Sequence, residues 1–285
     1  MAATLQNIFR YPVKSMGGQA LEGAALGSKG IPGDRAWAVK DEQGSIRNGK
    51  RSAELMSCTT RLLSEPSPEN PSPLVEICAP DGTAVTTDSD QVNAVLSNVV
   101  GNSVSLWPLM PEDQLEHYRR HPPEPGSDQE AAFREVFART PDEPLPDLSA
   151  FPAELFQYES PPGTYFDAYP LLLLSSNALA AIREGASDSL IDVRRFRPNL
   201  LFDAGSEPGY PERDWCGKTV RLGTVTLQIE LECPRCIMTT HGFADLPRDP
   251  TIMRTLVKEN GGNLGVYATV LEPGTVTVGD VLEIA

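Results

Sequence analysis

A chain of 285 residues, 40% hydrophobic and 22% charged, has enough apolar material for a real core and enough length for two domains. Its formal net charge of −15 repels phosphate backbones and anionic lipid, which argues against nucleic acid or a membrane surface as partners. Any anionic ligand then needs a local nest of Lys and Arg set against the global field. No apolar run approaches the roughly 18 residues of a membrane helix, and the start Met1-Ala2-Ala3-Thr4-Leu5-Gln6 has no secretory pattern. Five thinly spread cysteines, Cys58, Cys78, Cys216, Cys233 and Cys236, read as thiols of a reducing compartment rather than as a disulfide framework. The expectation is a cytoplasmic protein.

In chain order, Leu5–Tyr11 reads as a short strand ended by Pro12, and Ala36–Lys40 as another, followed by the turn Asp41-Glu42-Gln43-Gly44. Leu74–Cys78 and Thr83–Thr86 flank Pro80-Asp81-Gly82, a hairpin signal. Ser89 as N-cap, the apolar spacing of Val92, Val95, Leu96 and Val99, and Gly101 as a stop predict a helix. Residues 1–110 are thus expected to form a strand-rich first domain. From 108 to 162 the chain holds eleven prolines among many acidic residues, interrupted by one amphipathic helix near Ser127–Arg139. The stretch 111–162 reads as a linker or surface excursion, and a loop with no role of its own fits the same composition. In 163–285, Leu171–Leu174 is a buried strand, and Ser175 or Ser176 caps a helix through Leu179 and Ile182 to Gly185. Strands follow at Asn199–Phe202, Thr219–Leu222, Val225–Leu231, Val266–Leu271, Thr275–Val278 and Val281–Ile284, with a helix near Thr251–Glu259. So many short strands predict a β-rich α+β protein with a closed or nearly closed barrel.

The sharpest chemical feature is Cys233-Pro234-Arg235-Cys236. A zinc knuckle needs further ligands at fixed spacing, and only His241 is near. A thioredoxin-like dithiol needs a following helix, and β-prone Ile237-Met238-Thr239-Thr240 follows instead. A single working thiolate beside an arginine suits a soft or high-valent metal. Two buried cysteines without a role remain compatible with the tetrapeptide. Arg194-Arg195-Phe196-Arg197-Pro198-Asn199 sets three arginines in four positions, which is anomalous in so acidic a chain; Arg's planar fork matches phosphate. Tyr11-Pro12-Val13-Lys14-Ser15 places an ammonium and a hydroxyl on one loop, and Pro32-Gly33-Asp34-Arg35-Ala36-Trp37 sets an arginine at a turn. A solvated charge run and a surface Asp–Arg pair are the plainer readings of these clusters.

Together and in order, these segments, with Asp167-Ala168-Tyr169-Pro170 and Pro273-Gly274-Thr275-Val276-Thr277-Val278-Gly279-Asp280, resemble the MOSC superfamily. The resemblance is to the branch with an N-terminal MOSC-associated β-barrel domain, which includes the mitochondrial amidoxime-reducing component and bacterial relatives. It implies an N-terminal β-barrel-like domain and a C-terminal MOSC β-barrel with peripheral helices. It also implies a molybdenum cofactor (Mo-molybdopterin) whose metal is bound by Cys236, while Cys233 is not a ligand. Lys14, Ser15, Arg35, Ser175, Arg197, Asn199, Arg235 and Tyr267 would hold the pterin and its phosphate, and Asp167 stands where a proton could be delivered. Hydroxyls that eukaryotic relatives carry are replaced here by Ala168 and Tyr169. The implied activity is reduction of small N-hydroxylated or N-oxygenated compounds at the metal. Since no four-cysteine cluster is present, electrons are expected from a separate donor of ferredoxin or reductase type. The alternative implied is a cofactor-binding or sulfur-carrier module with no turnover of its own.

Overall fold

The computed structural model describes residues 3–123 and 125–284; Met1 and Ala2, part of the start read above, lie outside them. The first part of the chain carries strands β1 (Ala3–Arg10), β2 (Gln19–Leu21), β3 (Gly23–Leu26), β4 (Trp37–Asp41), β5 (Thr59–Leu62), β6 (Val75–Cys78), β7 (Ala84–Thr86) and β8 (Val104–Pro108), with helix α1 (Val92–Val100) before β8. Short helices α2 (Leu115–Tyr118), α3 (Gln129–Val136) and α4 (Glu154–Gln157) follow. The remainder comprises β9 (Leu171–Ser175), α5 (Ser176–Gly185), β10 (Leu200–Asp203), β11 (Thr219–Leu222), β12 (Val225–Pro234), α6 (Thr251–Asn260), β13 (Asn263–Glu272), β14 (Gly274–Thr277) and β15 (Val281–Ile284).

The β-rich architecture read from the strand spacing is present, and its barrel is closed. The order is β10-β9-β13-β12-β11-β15-β1, with β1 pairing back onto β10. A closed sheet has no free edge, and a barrel of this size is filled by its own side chains. Leu5, Leu171, Leu173, Leu200, Phe202, Leu227, Ile229 and Val266 provide that filling, with Trp215 packed among them. Within the barrel, among the described residues, β9 and β10 are the one parallel pair, joined by the crossover through α5. Their outward residues Leu174 and Leu201 bury against α5 and α6. The sealing strand is the first one in the chain. Leu5 lies opposite Phe202 and Ile8 opposite Leu200, with a bulge between Leu5 and Asn7 that keeps both apolar side chains inward. Tyr11–Ser15 therefore emerges at the barrel rim, beside the residues that lead into β10.

A second core joins Val13, Met16, Val39, Leu55, Val75, Ile77 and Leu96, where α1 covers the β4–β8 and β5–β6–β7 sheets. Gly101 ends α1 in the left-handed conformation, as expected of a stop. Ser89 does not cap the helix. Its hydroxyl accepts from the Gln91 N–H at 3.2 Å, a local turn that competes with capping, and Gln91 precedes the first helical residue. The Pro-rich stretch is packed against the rest. Tyr118 and Tyr158 bury against Ala38, Ile46 and Tyr165. Arg139 is buried and donates to Met253 Sδ at 2.8 Å and to Gly261 O at 3.4 Å.

Ser175 caps α5, accepting from the Ala178 N–H at 3.0 Å, and donates to Glu212 Oε2 at 2.5 Å. Glu212 is fully buried, its Oε1 has no partner among the described residues, and burial pushes its carboxyl from 4.5 up to about 7. The folded chain thus keeps a proton that the unfolded chain releases between those two values, so stability falls as pH rises through that window. The expected loss is about 3 kcal/mol between pH 5 and pH 8. Glu212→Gln is expected to remove most of that slope in denaturant titrations. A variant that loses as much stability as the wild type over the window would refute a buried neutral Glu212.

Candidate functional site

Where β1 ends, the Tyr11 N–H donates to Asp34 Oδ1 at 2.7 Å and the Tyr11 hydroxyl donates to Pro198 O at 3.1 Å. These two bonds draw the turn at 34–35 and the lead-in to β10 onto one aromatic ring. The Arg197 guanidinium lies 4.2 Å and that of Arg35 5.2 Å from the ring centroid, both within cation–π range. Burial pushes the Tyr11 hydroxyl up to about 12, against the pull of both arginines, so it stays a neutral donor. Asn199 acts as a cross-brace. Its amide donates to Phe9 O at 3.3 Å and Asp34 Oδ2 at 3.1 Å, and its oxygen accepts from the Leu172 N–H at 3.2 Å and from Arg35 Nη1 at 3.4 Å.

Next to this brace, Lys14 is buried and its ammonium donates to Tyr165 O at 2.6 Å and Asp167 Oδ1 at 2.5 Å. Burial draws the Lys14 amine below its ordinary value, against the Asp167 charge. The other Asp167 oxygen meets Lys50 Nζ at 3.0 Å. Burial would raise the Asp167 carboxyl, but the Lys14 and Lys50 ammoniums hold it well below the usual carboxylate range. Lys50 in turn lies within electrostatic reach of Cys236, whose side chain is half-buried. Gly49, just before Lys50, donates its N–H to Ser15 Oγ at 2.8 Å, which ties this loop to the barrel rim.

The CPRC segment places its two sulfurs differently. Cys233 is buried in β12, whereas Cys236 stands after the strand, just before the single turn Ile237–Thr240. Cys233 does not open a helix, which removes the thioredoxin-type reading. Among the described residues no group of three or more His, Cys, Asp and Glu could hold a metal ion, which removes the zinc knuckle. Arg235 Nη1 donates to Cys233 Sγ at 3.1 Å and Nη2 to Phe196 O at 2.6 Å. The arginine expected to favour the Cys236 thiolate thus sits on the other sulfur. Side chains two apart on extended backbone share a face, so Arg235 bonds Cys233, while Arg235 and Lys50 both lie within electrostatic reach of Cys236. Tyr267, on β13, hydrogen-bonds the same Cys233 sulfur.

Lys14, Ser15, Arg35, Arg197, Asn199, Arg235, Asp167, Cys236 and Tyr267 are therefore brought to one rim. Ser175 is not among them: it lies at the far end of β9, three residues or roughly 10 Å beyond Leu172, bound to Glu212. Tyr11 and Lys50 join the set without having been singled out in the sequence. The signal for Lys50 was a basic pair after a glycine, Gly49-Lys50-Arg51. Of the five non-glycine residues with positive φ among the described residues, three are Ser15 (70°), Arg35 (48°) and Arg197 (54°). Such conformations cost of order 1–3 kcal/mol each and cluster at ligand clamps.

The electrostatic balance is uneven. Lys14, Arg35, Lys50, Arg197 and Arg235 share the rim with two carboxylates in direct contact, Asp34 and Asp167. Arg197 Nη2 and Arg235 Nε are buried without a partner among the described residues. Burial lowers Arg197 to about 10, the mark of a cation short of anions. A phosphate and an electron-rich dithiolene would supply the missing negative charge, so these residues fit a pterin cofactor of that kind.

Residues 2–110 match the MOSC N-terminal beta barrel domain, and residues 161–283 match the MOSC domain. Mitochondrial amidoxime-reducing component 1 of Xenopus laevis is 29% identical over 129 residues, covering 41% of this chain and 36% of that protein. The chain thus spans about a third of that relative's length in the match. Mitochondrial amidoxime-reducing component 1 of Mus musculus is 23% identical over 303 residues, covering 97% of this chain and 81% of that protein. The crystal structure of the YUAD protein from Bacillus subtilis aligns with a TM-score of 0.45 and 12% identity, covering 100% of this chain and 96% of that one. Among the described residues no helix is long and apolar enough to cross a membrane.

Proposed function

The chain belongs to the MOSC family, whose domains tie it to the molybdenum cofactor, and from that premise we propose a molybdenum-cofactor oxidoreductase that removes oxygen from N-hydroxylated or N-oxygenated small molecules. The observation that carries the reading is the meeting of a half-buried thiol, Cys236, with a cation-rich rim inside a chain of net charge −15. Cys236 would bind the metal. Lys14, Ser15, Arg35, Arg197 and Arg235 would hold the phosphate and the polar edge of the pterin, with Asn199 and Tyr11 fixing the two arginines in place. Tyr267 would do so through Cys233 and Arg235.

When bound, the cofactor supplies the oxygen transfer: N–OH becomes N–H, and the oxygen leaves as water with two protons and two electrons. The electrons come from a separate ferredoxin or reductase, and the reading places the protein in the cytoplasm. Asp167 stands ionised between two ammonium groups. It orients Lys14 and Lys50, and any proton passed along this edge originates on them. Lys14, drawn down by burial, holds its proton less firmly than a free lysine.

The test is metal analysis and pterin fluorescence on protein made in a cofactor-competent host, followed by turnover of N-hydroxy compounds with a chemical reductant. Stoichiometric molybdenum and pterin with turnover are expected. Bound cofactor without turnover would make the protein a carrier module, and a preparation free of both molybdenum and pterin would end the proposal.

A further inference from the structure

The Pro-rich stretch sends a charged side chain into the body of the protein, and it lands on the turn that holds the CPRC segment. Arg139 is 6% exposed. Its Nη1 donates to Phe137 O and Met253 Sδ, both at 2.8 Å, and its Nη2 to Gly261 O at 3.4 Å. Its Nε is buried without a partner among the described residues. The guanidinium rests on Gly262, where a Cβ would stand 1.8 Å from Nη2, so glycine is required there. Gly262 in turn fixes the end of β12. Its carbonyl accepts the Arg235 N–H at 2.9 Å, and its own N–H donates to Leu256 O at 2.9 Å, closing α6. Asn263, next in the chain, pairs with Pro234. The turn that carries Arg139 is therefore the one that sets the peptide from which Arg235 and Cys236 project.

The stretch around Arg139 is fastened by other bonds. Arg254 of α6 meets Glu143 Oε2 at 2.5 Å and donates to Ala138 O, and Arg134 of α3 donates to Thr140 O and Glu143 O, both at 2.9 Å. Ala138 is held at a φ of 50°, a left-handed conformation that is costly for a residue with a Cβ. These bonds already anchor the stretch, and exposed Lys258 already places a cation in the last turn of α6. Neither need calls for a buried guanidinium with no carboxylate bonded to it among the described residues, which loses hydration without full compensation.

We propose that Arg139 is a positioning residue for the Cys236 thiolate: it fastens the Gly261–Gly262 turn, so that Gly262 O keeps the Arg235 N–H and the Cys236 side chain keeps its place at the rim. The Pro-rich stretch is then a strap over the turn that sets the site. The inference rests on the reading of Cys236 as the metal ligand.

The test uses the full chain with Arg139→Met, which keeps the bulk and removes the donors, and Arg139→Lys, which keeps a cation without the planar fork. In the metal-free proteins, amide hydrogen exchange at Arg235 reads the turn, and peptide-resolved alkylation of Cys236 by iodoacetamide reads the thiol. Arg139→Met is expected to speed both by about three- to tenfold, the loss of roughly one hydrogen bond's worth of local closure. The β1 amides and the half-buried thiols Cys78 and Cys216 are expected to react as in wild type. Arg139→Lys should fall between, and in protein from a cofactor-competent host molybdenum and pterin content should fall in the same order. If Arg235 and Cys236 respond no more than the β1 amides and the other two thiols, Arg139 only anchors the stretch and the proposal fails. Faster exchange and alkylation with cofactor content equal to wild type overturn it as well. Should Arg139→Met fail to fold, Arg139→Lys carries the same comparison. A wild type devoid of molybdenum would defeat the functional reading, while the metal-free measurements still decide whether Arg139 places Cys236.

Discussion

Cys236→Ser is expected to bring molybdenum to background while the protein stays folded, and Cys233→Ser is expected to keep the metal. Both expectations come from what each sulfur touches. A soft thiolate suits a heavy, high-valent metal far better than a serine oxygen, which is harder and remains protonated. Among the described residues no hydrogen bond leans on the Cys236 sulfur. Its side chain makes no capping bond, and the turn after it is held by the Thr239 hydroxyl donating to Cys236 O at 3.0 Å and the Thr240 hydroxyl donating to Ile237 O at 2.8 Å. The exchange should therefore change stability by no more than about 0.5 kcal/mol. Cys233 is the reverse case: buried, bonded by Arg235 and Tyr267, and raised by burial above the ordinary thiol value, so that it stays a thiol. Elemental analysis beside near-ultraviolet circular dichroism separates the two variants. Equal loss of metal from both would point to a shared dithiol and end the single-ligand reading.

Legibility in the sequence followed the range of the interaction. Local signals were readable: Ser175 ahead of α5, Gly101 behind α1, and the hairpin at Pro80-Asp81-Gly82 all depend on neighbours in the chain. The strands of the barrel were readable one by one, and a closed or nearly closed barrel with them, but not which strand seals it. That β1 returns to β10 depends on a pairing across nearly the whole chain, and no pattern within Ala3–Arg10 specifies its partner. At the site, residue types were readable where charge ran against composition, as in Arg194–Arg197. Orientation was not. Whether Arg235 bonds Cys233 or Cys236 depends on how β12 ends, and Lys50 meets Asp167 across a chain separation that no local pattern reports. The Pro-rich composition of 108–162 reported turns and exposure, but could not report Tyr118, Arg139 and Phe151 packed against the body.

Arg197→Met is expected to separate structure from ligand binding, because it costs little without cofactor and much with it. The Arg197 guanidinium lies against Tyr11 at 4.2 Å, donates to Met16 O at 2.5 Å and leaves Nη2 without a partner among the described residues. Burial lowers its pKa from 12.5 to about 10, an electrostatic cost of at most about 3 kcal/mol, less after screening of a half-buried side chain. Methionine removes that cost and keeps the bulk, but leaves Met16 O unmatched, a loss of about 1–3 kcal/mol. The two offset, so metal-free stability is expected to hold within about 1 kcal/mol or to rise. In the loaded protein the variant forfeits a charge-assisted bond to phosphate, worth about 1.5–3 kcal/mol, and cofactor retention should fall by roughly ten- to a hundredfold. The stabilisation that bound cofactor confers shrinks with it, since a ligand stabilises only in proportion to its hold on the folded form. Urea unfolding with and without cofactor, beside pterin content after serial dilution, reads both quantities. If the metal-free and loaded proteins lose stability alike while pterin content matches wild type, Arg197 is a structural cation and the phosphate lies elsewhere.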